Sequence, residues 1–180
     1  MAYSASSRML LDSAREVRRA FYPAWVYFVV PLVALLIQVY LPLFETLRFV
    51  GRIELPLLVT IYFAIMRRSQ LGGMAIGMTL GLAQDSLFQQ HIGMYGICKT
   101  LVGYFSASIG MQFDSEHSLV RLILCFFFYL FHQFFYWILQ RALLDQPAVF
   151  AVRTELLLAV VNGVIGLILF HFLDKLRSTE

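Results

Sequence analysis

Charged residues are scarce in this chain of 180 residues. Asp, Glu, Lys and Arg make up 14% of it and hydrophobic residues 60%, whereas a water-soluble domain has about 25% charged and 45–50% apolar residues. With a mean hydropathy of +0.75, the chain has too few polar groups to cover a core in water. We therefore expect lipid to surround much of its surface.

Cysteines are few, and the short motifs of common enzymes are lacking. Cys98 and Cys125 each stand alone within an apolar run, so we expect no disulfide and read both as small buried apolar side chains. The sequence contains no Walker loop, no GxSxG, no HExxH and no set of residues at metal-ligand spacing. We predict that the protein is not an enzyme and has no cofactor.

The net charge of +3 does not indicate a nucleic-acid partner. Lys and Arg stand at the ends of apolar runs and are not gathered on one polar face, which is the placement that orients membrane helices. If the N-terminus is cytoplasmic, most basic residues of the short connections lie on the cytoplasmic side. We therefore predict that both termini are cytoplasmic and that no nucleic acid is bound.

Six apolar runs approach the length of about 20 residues that a membrane-spanning helix needs. They predict an all-α, polytopic membrane protein with about six transmembrane helices. The runs cover residues 24–44, 53–66, 71–88, 93–111, 119–139 and 151–173. Since the second run is short, we expect it to tilt little or to lie where the bilayer is thinned. The predicted organisation is a cytoplasmic segment (1–23), a transmembrane domain (24–173) and a cytoplasmic tail (174–180).

The segment before the first run is amphipathic. Leu10, Ala14, Val17 and Phe21 repeat at helical spacing, and three arginines lie off that stripe. This pattern predicts a helix on the cytoplasmic leaflet that is attracted to anionic lipid. Two interpretations remain open, a simple positive-inside anchor and a docking helix for a cytoplasmic partner.

Glycines recur at helical spacing in the third and fourth runs. Small residues on one face allow another helix to approach closely, so we predict that these glycines pack helices together. They are Gly73, Gly77 and Gly81, spaced by four, and Gly96, Gly103 and Gly110, spaced by seven.

Asp85 and Lys99 are charged residues inside the third and fourth runs. A short turn joins the two runs, so they form an antiparallel hairpin, and both residues lie roughly 8–12 Å below that turn at about 1.5 Å per residue. An unpaired charge at that depth costs several kcal/mol. We therefore predict a buried ion pair between Asp85 and Lys99.

Further polar residues stand at the same end of the predicted bundle. Glu54, Gln84, Arg153 and Glu155 form a candidate polar network, in which the partners of Arg153 and Glu155 are expected in other spans. Three interpretations stay open: a structural network that fixes helix register, a surface for a partner, and a pocket for a transported solute or ligand.

The stretch "GMTLGLAQDSLFQQHIGMYGICKTLVGYF" resembles the hallmark region of the MreD family of bacterial rod shape-determining membrane proteins. The preceding "LPLLVTIYFAIMRRSQLGG", with its proline and basic break, is also similar to that family. The matching positions are Gly77, Gly81, Leu82, Asp85, Gly93, Gly96, Lys99, Leu101, Val102, Gly103 and Tyr104.

The resemblance implies a function that composition and spacing do not. It implies a non-enzymatic scaffold of the cell-wall elongation complex in the bacterial inner membrane. Its partners would be a single-span MreC-like protein and, in the same machinery, MreB, RodA and a transpeptidase. The implied fold is similar to the substrate-binding components of energy-coupling-factor vitamin transporters. A component of such a transporter is therefore the alternative function.

Overall fold

The computed structural model describes residues 22–40, 51–88, 91–112, 117–144 and 150–176. Within these ranges the chain forms six α-helices and no strand. They are α1 (Val26–Tyr40), α2 (Leu55–Arg67), α3 (Gln70–Leu87), α4 (Met94–Gln112), α5 (Ser118–Leu144) and α6 (Val152–Asp174). The all-α prediction is confirmed, and each apolar run contains one helix. The amphipathic segment predicted for residues 1–23 falls almost entirely outside the described residues.

Helix α2 is the centre of the bundle. It packs against all five other helices, and every residue from Pro56 to Ile65 is buried. A helix that is apolar on all sides belongs in a core, and α2 occupies that position among the described helices.

Helices α5 and α6 are the two that are long and apolar enough to cross a membrane by the criteria of length and composition, within the described part of the chain. Helices α1 and α2 are apolar but shorter, at 15 and 13 residues. Helix α5 is longer than its predicted span because it continues to Leu144.

The break between α2 and α3 is built from the basic sequence "RRSQ". Arg68 ends α2 in the left-handed conformation, with φ of 48°. Ser69 is extended, and its side chain accepts a hydrogen bond from the N–H of Gly72. A left-handed residue followed by a serine cap ends one helix and begins the next.

Helices α3 and α4 form the most extensive pairing in the bundle, an antiparallel hairpin whose backbones lie very close. A Cβ atom built on Gly77 would stand 2.1 Å from the carbonyl oxygen of Lys99. Gly73 and Gly103 face each other in the same way, and Gly81 meets the backbone of Tyr95 and Gly96. Gly110 instead contacts the backbone of Ile65 on α2. The structure thus places glycines at the close approaches of α4 to both α3 and α2.

Candidate functional site

A buried ion pair joins α4 to the start of α2. The Nζ atom of Lys99 lies 3.3 Å from the Oε2 atom of Glu54 and also donates to the Oε1 atom of Gln84 on α3. The Lys99 ammonium stands 4.6 Å from the centre of the Tyr95 ring. Both charged side chains are almost completely inaccessible to solvent. Each charge therefore has the partner that burial in apolar surroundings requires.

Asp85 does not pair with Lys99, and this corrects the prediction from hairpin depth. Its Oδ2 atom accepts hydrogen bonds from the backbone N–H groups of Gly93 (2.9 Å) and Gly96 (3.1 Å), and its Oδ1 atom accepts one from Tyr95 (3.0 Å). The first N–H groups of a helix have no partner within it, and its N-terminus attracts negative charge. The carboxylate of Asp85 therefore caps α4 across the turn.

The predicted polar network is present in part. Gln84 donates a hydrogen bond to Glu54 at 3.4 Å. Lys99, for which the sequence predicted Asp85 as the partner, contacts both of these residues. Glu155 accepts a hydrogen bond from Tyr129 on α5 at 3.2 Å. Arg153 is exposed and makes no ion pair with the described residues, so the structure does not bring it into the cluster.

Two polar residues that the sequence analysis did not single out hold the start of α2. The Oδ1 atom of Asn162 on α6 accepts from the N–H of Glu54 (2.9 Å), and the Oε1 atom of Gln38 on α1 accepts from the N–H of Leu55 (3.1 Å). Pro56 has no N–H to satisfy. Because these two side chains accept hydrogen bonds from the first backbone N–H groups, the Glu54 carboxylate can bind Lys99 instead. The sequence does contain a signal for these residues, because each is an amide side chain within an otherwise apolar run.

A second polar cluster lies at the other end of α2. The hydroxyl groups of Tyr22 and Tyr62 are 2.5 Å apart, and Tyr62 donates to Asp174 on α6 at 2.8 Å. Arg121 on α5 pairs with the same carboxylate. At this end of the core helix, polar contacts join α2 to α6, α5 to α6, and the residues that precede α1 to α2.

His132 on α5 is fully buried next to the ion pair. Its ring stacks on Tyr95 with 5.7 Å between ring centres, and neither ring nitrogen has a hydrogen-bond partner among the described residues. The imidazole is therefore held by packing against aromatic side chains. In the described ranges no group of three His, Cys, Asp or Glu side chains is arranged to hold a metal ion.

A cavity of about 470 Å³ opens where α2 and α6 begin. Its lining is mostly polar and includes Arg52, Glu54, Tyr129, Gln133, Thr154 and Glu155. Glu54 thus contacts the cavity and the buried ion pair at once. Interior polar residues thus reach an open space at this cavity.

These features define a class: an all-helical protein with helices able to cross a membrane and an ion pair shielded in its interior. The family model described as rod shape-determining protein MreD matches residues 19–176, and the chain therefore belongs to the MreD family. Membership implies a role in determining rod cell shape. The members of this family are membrane proteins. No curated protein and no solved structure matches the chain, so the expected fold similarity to energy-coupling-factor components stays a prediction.

Proposed function

We propose that this protein is a non-enzymatic membrane scaffold of the cell-wall elongation complex, which maintains rod shape by binding a single-span MreC-type protein. The observation that carries the proposal is the family match over residues 19–176. In the same proposal, MreB, RodA and a transpeptidase belong to the assembly that the scaffold organises. The protein lies in the bacterial inner membrane, with six spans and both termini cytoplasmic.

The distribution of polar groups supports a scaffold. The charges of Lys99, Glu54 and Asp85 are satisfied by other groups of the same chain, so the cluster at the start of α2 holds the bundle in one arrangement. Polar contacts with fixed partners specify a single packing of helices. A rigid bundle with an apolar exterior suits a protein whose task is to position partner helices.

Helix α5 offers a surface for the partner helix. Its outer side carries exposed Ile123, Phe127 and Phe134, and aromatic side chains supply large contact areas in protein interfaces. The helix also continues for eight residues beyond Tyr136, which stacks on Tyr95 of α4. Those two turns extend about 12 Å further along the helix axis.

The alternative is a substrate-binding membrane component of a transporter of the energy-coupling-factor type. The cavity of about 470 Å³ beside Glu54 favours it, because ligand pockets are usually about 300–1,000 Å³. The interior ion pair favours the scaffold over this alternative, since Lys99 is already neutralised and is not left for a solute.

The test is complementation in a rod-shaped bacterium depleted of its own MreD-family protein. Depleted cells should become round, and expression of this chain should restore their length-to-width ratio. Rods that persist after depletion while uptake of a vitamin is lost would favour the transporter component instead. The Lys99→Met variant serves as the destabilised control, with membrane levels measured by immunoblot.

A further inference from the structure

The cavity at the start of α2 and α6 has a charge pattern that the scaffold function does not use. Its lining residues include two acidic residues, Glu54 and Glu155, one basic residue, Arg52, and the hydroxyl-bearing Tyr129 and Thr154. The lining residues come from the start of α2, the middle of α5 and the first turn of α6. Three separate parts of the fold therefore contribute to one polar space.

The two carboxylates differ in how they are neutralised. Glu54 is paired with Lys99 behind the cavity wall. Glu155 accepts only the Tyr129 hydroxyl at 3.2 Å, and no cation pairs with it among the described residues. Glu155 lies in the first turn of α6, whose N-terminus favours negative charge, but no cationic side chain neutralises it in the described ranges. Glu155 is therefore the group in this lining that a cationic ligand would complement.

We propose that this cavity binds a small zwitterion through its primary ammonium group, with Glu155 contacting the ammonium and Arg52 the anionic group. A guanidinium binds phosphate or carboxylate well, and an ammonium donates charge-assisted hydrogen bonds to carboxylates. The volume of about 470 Å³ fits a headgroup or a small amino compound. The ligand is therefore either the headgroup of phosphatidylethanolamine or a free amino compound of the same chemistry.

The experiment uses the full-length protein in two arms. In the first, delipidated protein in detergent is titrated with O-phosphoethanolamine by calorimetry, and phosphocholine is the comparison because its ammonium has no N–H to donate. In the second, protein from nanodiscs of phosphatidylethanolamine and phosphatidylcholine is analysed for retained lipid by native mass spectrometry. Glu155→Gln is the test variant, since glutamine still accepts the Tyr129 hydrogen bond. Arg153→Gln changes a charge on the same helical turn outside the cavity lining and is the control.

We expect wild-type protein and Arg153→Gln to bind the ammonium ligand with the same affinity. Glu155→Gln should bind it with an affinity at least about tenfold lower. Binding of free O-phosphoethanolamine alone assigns a soluble ligand, and selective retention of phosphatidylethanolamine assigns the lipid. The proposal is overturned if neither arm shows binding, or if Glu155→Gln binds as tightly as the wild type in both. Cell-shape rescue is scored separately, so failure here leaves the scaffold proposal standing.

Discussion

Lys99 on α4 and Glu54 at the start of α2 form an ion pair in the interior of the bundle, with 3.3 Å between Nζ and Oε2. The two residues are 45 positions apart in the chain, so the pair fixes how α4 lies against the core helix. Gln84 from α3 contacts both side chains. One polar cluster therefore determines the mutual arrangement of three helices.

Removal of either charge should destabilise the protein strongly. Lys99→Met leaves the Glu54 carboxylate buried without a counter-charge, and we expect a loss of about 3–5 kcal/mol in the free energy of unfolding. Glu54→Gln should cost a similar amount because it strands the ammonium. Unfolding can be followed with a thiol-reactive fluorophore, since Cys98 and Cys125 are both buried.

The double variant Lys99→Met, Glu54→Gln provides the control for that prediction. It removes both charges at once, so it should lose clearly less stability than the sum of the single variants. A double variant whose loss equals that sum would show that the two residues do not stabilise each other.

Asp85 should act on α4 through the backbone, with little dependence on Lys99. Asp85→Ala leaves three N–H groups without their acceptor, two in the first turn of α4 and one on the preceding Gly93. We expect a loss of about 2–3 kcal/mol, with a smaller loss for Asp85→Asn. The coupling energy between Asp85 and Lys99, from a double-mutant cycle, should be smaller than that between Glu54 and Lys99. A larger coupling energy between Asp85 and Lys99 than between Glu54 and Lys99 would contradict this assignment and support an ion pair between Asp85 and Lys99.

The glycine contact between α3 and α4 should not tolerate a methyl group. The Cβ of Gly77→Ala would overlap the backbone of Lys99 at 2.1 Å, and we expect a loss of about 1–3 kcal/mol from overpacking. Gly72→Ala is the matched control on the same helix, because its Cβ meets side chains and no backbone: the flexible Arg67 side chain at 3.3 Å and the Ser69 hydroxyl at 3.4 Å. It should be neutral or slightly stabilising. Equal effects of the two variants in thermal unfolding would contradict the close packing.

The surface of α5 should be adjacent to the partner helix. A photo-crosslinking residue at Phe127 or Phe134 should give a covalent adduct with the MreC-type protein in cell membranes. The same residue at Val160 or Ile168, exposed on α6, should give little or none. If adducts form from α6 and none from α5, the partner surface lies on the other helix.

The helices could be predicted from the sequence because each long apolar run is a local signal. The central position of α2 could not, because its run resembles a short span when it is read alone. Other helices cover it from Pro56 to Ile65, so the burial that decides its place comes from residues far away in the chain.

The site was predictable only to the level of which residues carry polar groups. Depth below the hairpin turn placed Asp85 and Lys99 at similar heights, but height does not decide which partner each one takes. In the structure, Asp85 accepts hydrogen bonds from backbone N–H groups at the start of α4, and Lys99 forms an ion pair with the carboxylate of Glu54 at the start of α2. That choice depends on how α2 lies against the hairpin, with its start held by Asn162 and Gln38, and no local pattern encodes it.

The central claim is that this chain is a scaffold that holds a single-span partner in the membrane. The most direct test is gentle purification of the tagged protein from native membranes, followed by quantitative mass spectrometry of everything bound. We predict a near-stoichiometric MreC-type protein, and its loss when Lys99→Met disrupts the bundle. Recovery of a stoichiometric vitamin with an energising ATPase module, and no MreC-type protein, would contradict the claim.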